Sequence, residues 1–205
     1  MSKRCIIISG GEYSPITDIK NEDFIIACDK GYEYAQKDGI TPDLLIGDFD
    51  SYTGNLDVDI PIQRYKCEKD DTDTGIAVQY AVENNYDEIL IYCALGGRLD
   101  HLLGNIQLGT YAAKKGVSIR ILSEDNELYF LSNSCISLYR RNGYSISTFS
   151  LTDTCEGLTI TGAKYPLNNA TFNNDSTLGV SNEWDKDIID ISVGNGVLLI
   201  VLSKL

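Results

Sequence analysis

Short clusters of carboxylates, hydroxyls and glycines recur along this chain at spacings that suit phosphate and metal chemistry. In Gly47-Asp48-Phe49-Asp50-Ser51 two carboxylates stand at i and i+2. Just beyond a buried strand two such carboxylates can point to the same side, where their repulsion is costly unless a cation lies between them. Mg²⁺ suits that place, because it takes hard oxygen ligands and bridges carboxylates to substrate phosphates. The plain alternative is that these acids cap the next element. Lys69-Asp70-Asp71-Thr72-Asp73-Thr74 crowds acids and hydroxyls together at the start of a helical pattern. Capping explains one or two of them, and metal binding or hydroxyl activation is the competing use for the rest. Gly96-Gly97-Arg98-Leu99-Asp100-His101 combines a freed backbone, a guanidinium fork for phosphate oxygens and a helix start that favours anions. His101 is the only histidine, and a lone histidine is more often a ligand contact or structural residue than an acid or base. Ser9-Gly10-Gly11 admits a close approach of backbone N–H groups to phosphate, or is simply a turn. Asp29-Lys30-Gly31 completes the set. Neither a G-x-x-x-x-G-K-[ST] loop nor a G-x-G-x-x-G fingerprint is present, so a nucleotide site must be built another way.

These clusters follow short apolar runs. Cys5-Ser9, Phe24-Cys28, Leu44-Ile46, Ile62-Tyr65, Glu88-Cys93 and Val117-Leu122 read as strands, and they alternate with helical patterns. Thr74–Asn84 places Ile76, Ala77, Tyr80 and Ala81 at helical spacing, with Thr72 or Asp73 as N-cap. A second helix after Asp100 sets Leu102, Leu103, Ile106 and Ala113 on one face, which should pack on the sheet. The expectation is an α/β domain with a mostly parallel sheet and flanking helices over residues 1–125. Its ligand-binding loops lie where parallel strands end. Residues 126–205 read as a small all-β sandwich of short strands, with Asn195-Gly196 as a type I′ hairpin turn.

Composition narrows the classes. A formal charge of -13 repels polyanions, so nucleic acid is not an expected partner. No apolar stretch approaches a membrane span, and the run Cys5–Ile8 is too short for the apolar region of a signal peptide. Six scattered cysteines without a C-x-x-C pair point to reduced thiols in a cytoplasmic protein.

Taken in order, Asp29-Lys30-Gly31, Gly47-Asp48-Phe49-Asp50-Ser51, Asp70-Asp71-Thr72-Asp73-Thr74 and Gly96-Gly97-Arg98-Leu99-Asp100-His101 resemble the thiamine pyrophosphokinase family. Gly162-Ala163-Lys164-Tyr165-Pro166-Leu167 and Gly179-Val180-Ser181-Asn182-Glu183-Trp184 extend the resemblance across nearly the whole chain. It implies transfer of the diphosphate of ATP to the hydroxyl of thiamine, giving thiamine diphosphate and AMP. It also implies Mg²⁺ as cofactor and a homodimer with active sites between subunits. Carried onto matching positions, it assigns Asp48, Asp50, Asp73 and Asp100 to Mg²⁺ and the reacting phosphates. Gly96, Gly97, Arg98, His101, Asp29 and Thr72 fall to the nucleotide, and Ser181, Asn182 and Trp184 to thiamine. Asp29-Lys30-Gly31 departs from the family's more usual Asp-Gly-Gly-Ala by placing a long cation where small residues are common. Residue types alone leave two other readings open, a kinase or phosphohydrolase acting on another hydroxyl compound and a non-catalytic nucleotide or thiamine sensor.

Overall fold

The computed structural model describes residues 2–49, 59–63 and 71–205. The chain divides into two compact units, Met1–Ala112 with Ile119–Glu124, and Ala113–Ser118 with Asp125–Leu205.

In the first unit the strands are β1 (Arg4–Ile8), β2 (Phe24–Cys28), β3 (Leu44–Ile46), β4 (Ile62–Gln63), β5 (Glu88–Tyr92) and β6 (Ser118–Leu122). The helices are α1 (Gly31–Lys37), α2 (Asp73–Glu83) and α3 (Leu99–Lys114). Strand order is β4-β3-β2-β1-β5-β6. The pairs β1·β2, β1·β5, β2·β3 and β3·β4 are all parallel. A parallel strand covered on both faces has no polar side, which is why β3 and most of β1, β2 and β5 are runs of buried apolar residues. The chain winds outward from β1 through β2, β3 and β4, then returns to place β5 on the other side of β1. That reversal makes a crevice beyond the ends of β1 and β5, the usual ligand position in an open parallel sheet. Ile6, Ile8, Ala27, Leu45 and Leu90 form the centre of the core, none of them exposed, and truncating one such Ile or Leu to Ala costs about 2–5 kcal/mol.

The expected strands and the helix α2 are present within a residue or two. The expected strand Ile62–Tyr65 is seen as β4, and Tyr65 lies outside the described residues. Helix α1 was not anticipated, because seven residues are too few to display a period. The inward face of α3 differs from the expected one. Asn105, Gly109, Ala112 and Ala113 are buried, whereas Leu99 is 67% and Leu103 is 55% exposed. Small residues let the helix approach closely, and Asn105 ties it to the end of the sheet by donating to the carbonyl of Ala94 at 2.7 Å. Spacing reports which residues share a face, not which face is covered.

The second unit contains β7 (Asn126–Ser132), β8 (Cys135–Tyr139), β9 (Tyr144–Ser150), β10 (Thr154–Thr161), β11 (Leu167–Asn173), β12 (Ile188–Ser192) and β13 (Val197–Lys204). Strand β13 pairs antiparallel with β7 and β9. A four-stranded antiparallel sheet runs β11-β10-β12-β8. Leu131, Ile146, Leu198 and Ile200 from one set meet Leu138, Leu158, Phe172, Ile189 and Ile191 from the other in a single core, as in a sandwich. Asn195-Gly196 is not the expected type I′ hairpin turn. Strands β12 and β13 belong to different sheets, so the segment crosses between layers instead of closing a hairpin. Gly196 has φ +95, but Asn195 is not among the residues of positive φ that a type I′ turn requires at both centres. Asn195 instead exchanges backbone hydrogen bonds with Glu156 at 3.0 and 3.1 Å.

Among the described residues, Cys5, Cys28, Cys93, Cys135 and Cys155 are free thiols. No described helix is long and apolar enough to cross a membrane.

Candidate active site

The loops after β1, β2 and β5 and the start of α2 enclose a cavity of about 530 Å³ lined by Ser9–Glu12, Cys28–Lys30, Thr72–Thr74, Ala94, Gly96–Arg98, His101 and Asn105. That size suits a nucleotide-scale ligand. Backbone contacts hold its walls. The N–H of Ser9 donates to the Tyr92 carbonyl at 2.9 Å, and the N–H of Gly11 to the Cys93 carbonyl at 2.8 Å. The Tyr34 hydroxyl donates to the Gly11 carbonyl at 2.8 Å. Ser9 and Thr74 share a hydroxyl hydrogen bond of 2.7 Å, joining the β1 loop to α2. Gly31 and Gly47 are among the glycines that packing requires. A Cβ at Gly31 would overlap the carbonyl oxygen of Ile8, and one at Gly47, whose φ is +148, would overlap the carboxylate of Asp29.

Asp29 is the electrostatic centre of the cavity. It adopts the left-handed conformation with φ +44, and its Oδ1 is buried without a hydrogen-bond partner. Burial, then hydrogen bonding to and repulsion by Asp73, push its carboxyl up to about 7. The backbone N–H of Phe49 opposes that rise, and the charge of Asp48 adds to it. Acids gathered this way need either a shared proton or a cation. Among the described residues no three His, Cys, Asp or Glu side chains are grouped tightly enough to hold a metal by themselves. An ion such as Mg²⁺, which keeps waters and takes phosphate oxygens, needs only one or two carboxylates.

Helix α2 begins in this cavity. Thr72 is its N-cap, the hydroxyl accepting from the N–H of Gly75 at 3.0 Å. Asp71 is spent locally, accepting from the N–H of Thr72 at 2.8 Å and from Gln79 Nε2 at 2.6 Å. Asp73 therefore faces Asp29 from the positive end of a helix.

Arg98, on the wall formed by the loop after β5, is paired with Asp100. Nε and Nη2 of Arg98 donate to the two oxygens of Asp100 at 3.1 and 2.5 Å, and the N–H of His101 donates to Asp100 Oδ1 at 3.0 Å. The guanidinium holds the Asp100 carboxyl below its ordinary range. Both side chains are largely exposed, 73% and 64%, so water weakens the pair and phosphate oxygens can replace the carboxylate on Arg98.

Of the residues read from the sequence, Asp29, Thr72, Asp73, Gly96, Gly97, Arg98 and His101 line one cavity, and Asp48 acts on Asp29 from beside it. Asp100 is turned to Arg98 and does not line the cavity. Asp50 lies outside the described residues. Glu12, Cys28 and Asn105 were missed. Asn105 carried a legible signal, a polar residue between Leu102 and Ile106 in an apolar helical stripe.

In the second unit, the segments around Tyr165 and Asn182 are laced together. Asn182 Oδ1 accepts from the N–H of Tyr165 at 3.0 Å, and its Nδ2 donates to the Tyr165 carbonyl at 2.9 Å. Ser181 has φ +60, and its N–H donates to Ser147 Oγ at 3.0 Å. Trp184 belongs to the sandwich core, 9% exposed, with its indole N–H directed at the Leu138 carbonyl at 3.4 Å. Tyr165, Leu178 and Val180 stand exposed nearby in sequence.

Residues 17–121 match the family model described as thiamin pyrophosphokinase, catalytic domain, and residues 133–198 match thiamin pyrophosphokinase, vitamin B1 binding domain. The chain is 33% identical over 207 residues to the thiamine pyrophosphokinase of Bacillus subtilis (strain 168), covering 96% of this chain and 97% of that one. The crystal structure of thiamine pyrophosphokinase from Bacillus subtilis superposes with a TM-score of 0.90 at 31% identity, over 99% of this chain and 100% of the other. The crystal structure of thiamin pyrophosphokinase from Geobacillus thermodenitrificans gives a TM-score of 0.84 at 29% identity, with 98% of each chain covered.

Proposed function

The chain belongs to the thiamin pyrophosphokinase family, and from that premise we propose how its own residues carry out the transfer of diphosphate from ATP to the thiamine hydroxyl. The observation that carries the proposal is the meeting of Asp29 and Asp73, with Asp48 beside them, in a cavity whose opposite wall is Gly96, Gly97, Arg98 and His101. Carboxylates forced together across from a guanidinium suit a polyphosphate that arrives with a divalent cation.

In this reading the backbone N–H groups of the Ser9-Gly10-Gly11 and Gly96-Gly97 loops and the fork of Arg98 orient the phosphates, with His101 and Thr72 beside them. Asp48, Asp50, Asp73 and Asp100 would hold Mg²⁺, and Asp29 would join them as the buried carboxylate whose repulsion the ion relieves. Bound Mg²⁺ offsets the charge that develops on the phosphate oxygens. Arg98 releases Asp100 when it takes up phosphate, which frees that carboxylate for the reacting centre. The thiamine hydroxyl attacks the β-phosphorus in line, its proton passes to Asp73 or Asp100, and AMP leaves. Positioning supplies most of the rate, because the groups meet already oriented.

Thiamine carries a cationic thiazolium and a flat aminopyrimidine, which suit an acidic pocket with aromatic neighbours. Ser181 and Asn182 shape its site, and Trp184 fixes that segment from the core beneath. These residues are supplied by the partner subunit of a homodimer. Exposed Leu99 and Leu103 on α3 support such an assembly, since burying both removes apolar surface from water. The protein acts in the cytoplasm, a setting consistent with five free thiols among the described residues.

The test is product identification after incubation with ATP, Mg²⁺ and thiamine, with and without EDTA. Thiamine diphosphate and AMP in equal amounts, lost on chelation and restored by Mg²⁺, support the reading. Turnover undiminished in EDTA removes the cation from it.

A further inference from the structure

Lys30 lines the cavity together with Asp29, Asp73 and Glu12, yet it makes no ion pair with any described acid in a chain of charge -13. Its ammonium lies 5.5 Å from the centre of the Tyr34 ring. Tyr34 is the same residue whose hydroxyl fixes the Gly11 carbonyl. The backbone of Lys30 is held equally firmly. It is helical, with φ -58 and ψ -20, and it precedes Gly31, whose missing Cβ lets the start of α1 press on the backbone of Ile8 and Ser9. A Cβ on Gly10 would lie 3.4 Å from the Cβ of Lys30. The lysine stem thus rises directly over the glycine loop. The other strong cation of the cavity, Arg98, is engaged by Asp100.

Resting on the reading of this cavity as an ATP site, we infer that Lys30 is a substrate-binding residue that holds the polyphosphate of the nucleotide against the Ser9-Gly10-Gly11 loop. A polyphosphate brings several negative charges into a cavity already rich in carboxylates. Arg98 and a divalent ion stand toward the far wall and the carboxylates, so that among the described residues Lys30 is the positive charge on the glycine-loop side. A tethered ammonium with three donors meets that need, whereas thiamine, itself a cation, gains nothing from it. Tyr34 holds the ammonium through its ring and a side-chain hydrogen bond, which leaves donors of the three on Lys30 for a phosphate.

The test compares wild type with Lys30→Met, Lys30→Gln and Lys30→Arg. Thiamine and ATP are varied separately in turnover, and binding of inorganic tripolyphosphate in the presence of Mg²⁺ is measured by calorimetry. Hydrogen bonds to a charged group support a loss of about 10- to 100-fold in kcat/KM for ATP and in tripolyphosphate affinity for both neutral variants. Lys30→Arg should stay within about threefold of wild type, since it keeps the charge but changes its geometry. KM for thiamine should not move, and the thermal midpoints of the variants should match that of wild type. Unchanged tripolyphosphate affinity in the neutral variants overturns the inference, as does an equal rise in KM for both substrates. If the wild-type protein makes no thiamine diphosphate, the enzymatic reading fails by itself, while the tripolyphosphate titration still decides the role of Lys30.

Discussion

Replacing Asp29 with Asn should make the metal-free protein more stable at alkaline pH, although it removes a group from the active site. The carboxyl titrates at about 7 in the fold against an ordinary value of 3.8. At about 1.4 kcal/mol per pH unit the difference caps the penalty of ionising it at about 4 kcal/mol. The cavity is open to water, so screening reduces this to about 2 kcal/mol, or about 4–8 °C in Tm for a chain of this size. The sign follows from proton binding. Between pH 3.8 and about 7 the folded state binds the Asp29 proton more tightly than the unfolded state does. Stability from this group is therefore fully present below the unfolded value and is lost as pH rises through the folded one. Asn keeps the hydrogen bonding of the neutral acid and tolerates the left-handed backbone at this position. The assay is thermal and urea denaturation in EDTA from pH 4.5 to 8.5. The Tm difference, variant minus wild type, should grow across that range, and Mg²⁺ should narrow it at pH 8 by stabilising wild type, whose Asp29 charge the ion relieves, more than the variant. A difference that stays flat with pH, or a variant less stable at pH 8, refutes the reasoning.

Breaking the buried pair of Arg4 and Asp23, joined at 2.6 and 2.8 Å, with Asp23→Asn should cost about 3–5 kcal/mol in urea unfolding at pH 7. Burial alone would raise the Asp23 carboxyl, but the Arg4 hydrogen bonds outweigh it and the value is lowered. The pair's contribution is therefore present above about pH 4 and disappears as pH falls through the lowered value, so variant and wild type should converge in acid. Asn105→Ala should leave the Ala94 carbonyl unpaired, costing about 1–3 kcal/mol in denaturant titration. By loosening the Gly96-Gly97-Arg98 loop it should also raise KM for ATP. Asp73→Asn should lower kcat by about 100-fold or more in steady-state assays, with thiamine binding retained; near-normal kcat would remove Asp73 from the chemistry.

The first unit was legible because its physics is local. Buried parallel strands must be aliphatic runs, and Cys5–Ile8, Ile25–Cys28 and Ile89–Tyr92 announce themselves as such. The glycine and aspartate clusters at their ends then had one place to go, the sheet edge. Features set by partners distant in sequence were not legible. The repulsion between Asp29 and Asp73 depends on how β2 and α2 approach each other. Strand β11, Leu-Asn-Asn-Ala-Thr-Phe-Asn, carries little apolar signal because among its seven residues only Phe172 is buried. Trp184 stands among polar residues in the sequence, yet alternation along an extended segment lets Glu183 face water while Trp184 enters the core. The identity of the diphosphate acceptor came from resemblance across both units, since carboxylates and phosphate clamps serve many phosphoryl transfers.

The central claim is that ATP gives up its two terminal phosphates together to thiamine. It is tested most directly by supplying ATP labelled in the α, β or γ phosphate, with Mg²⁺ and thiamine, and following the label. The account predicts that β and γ labels both appear in thiamine diphosphate while the α label stays in AMP. Label from the γ position alone on thiamine, with ADP as coproduct, would contradict it.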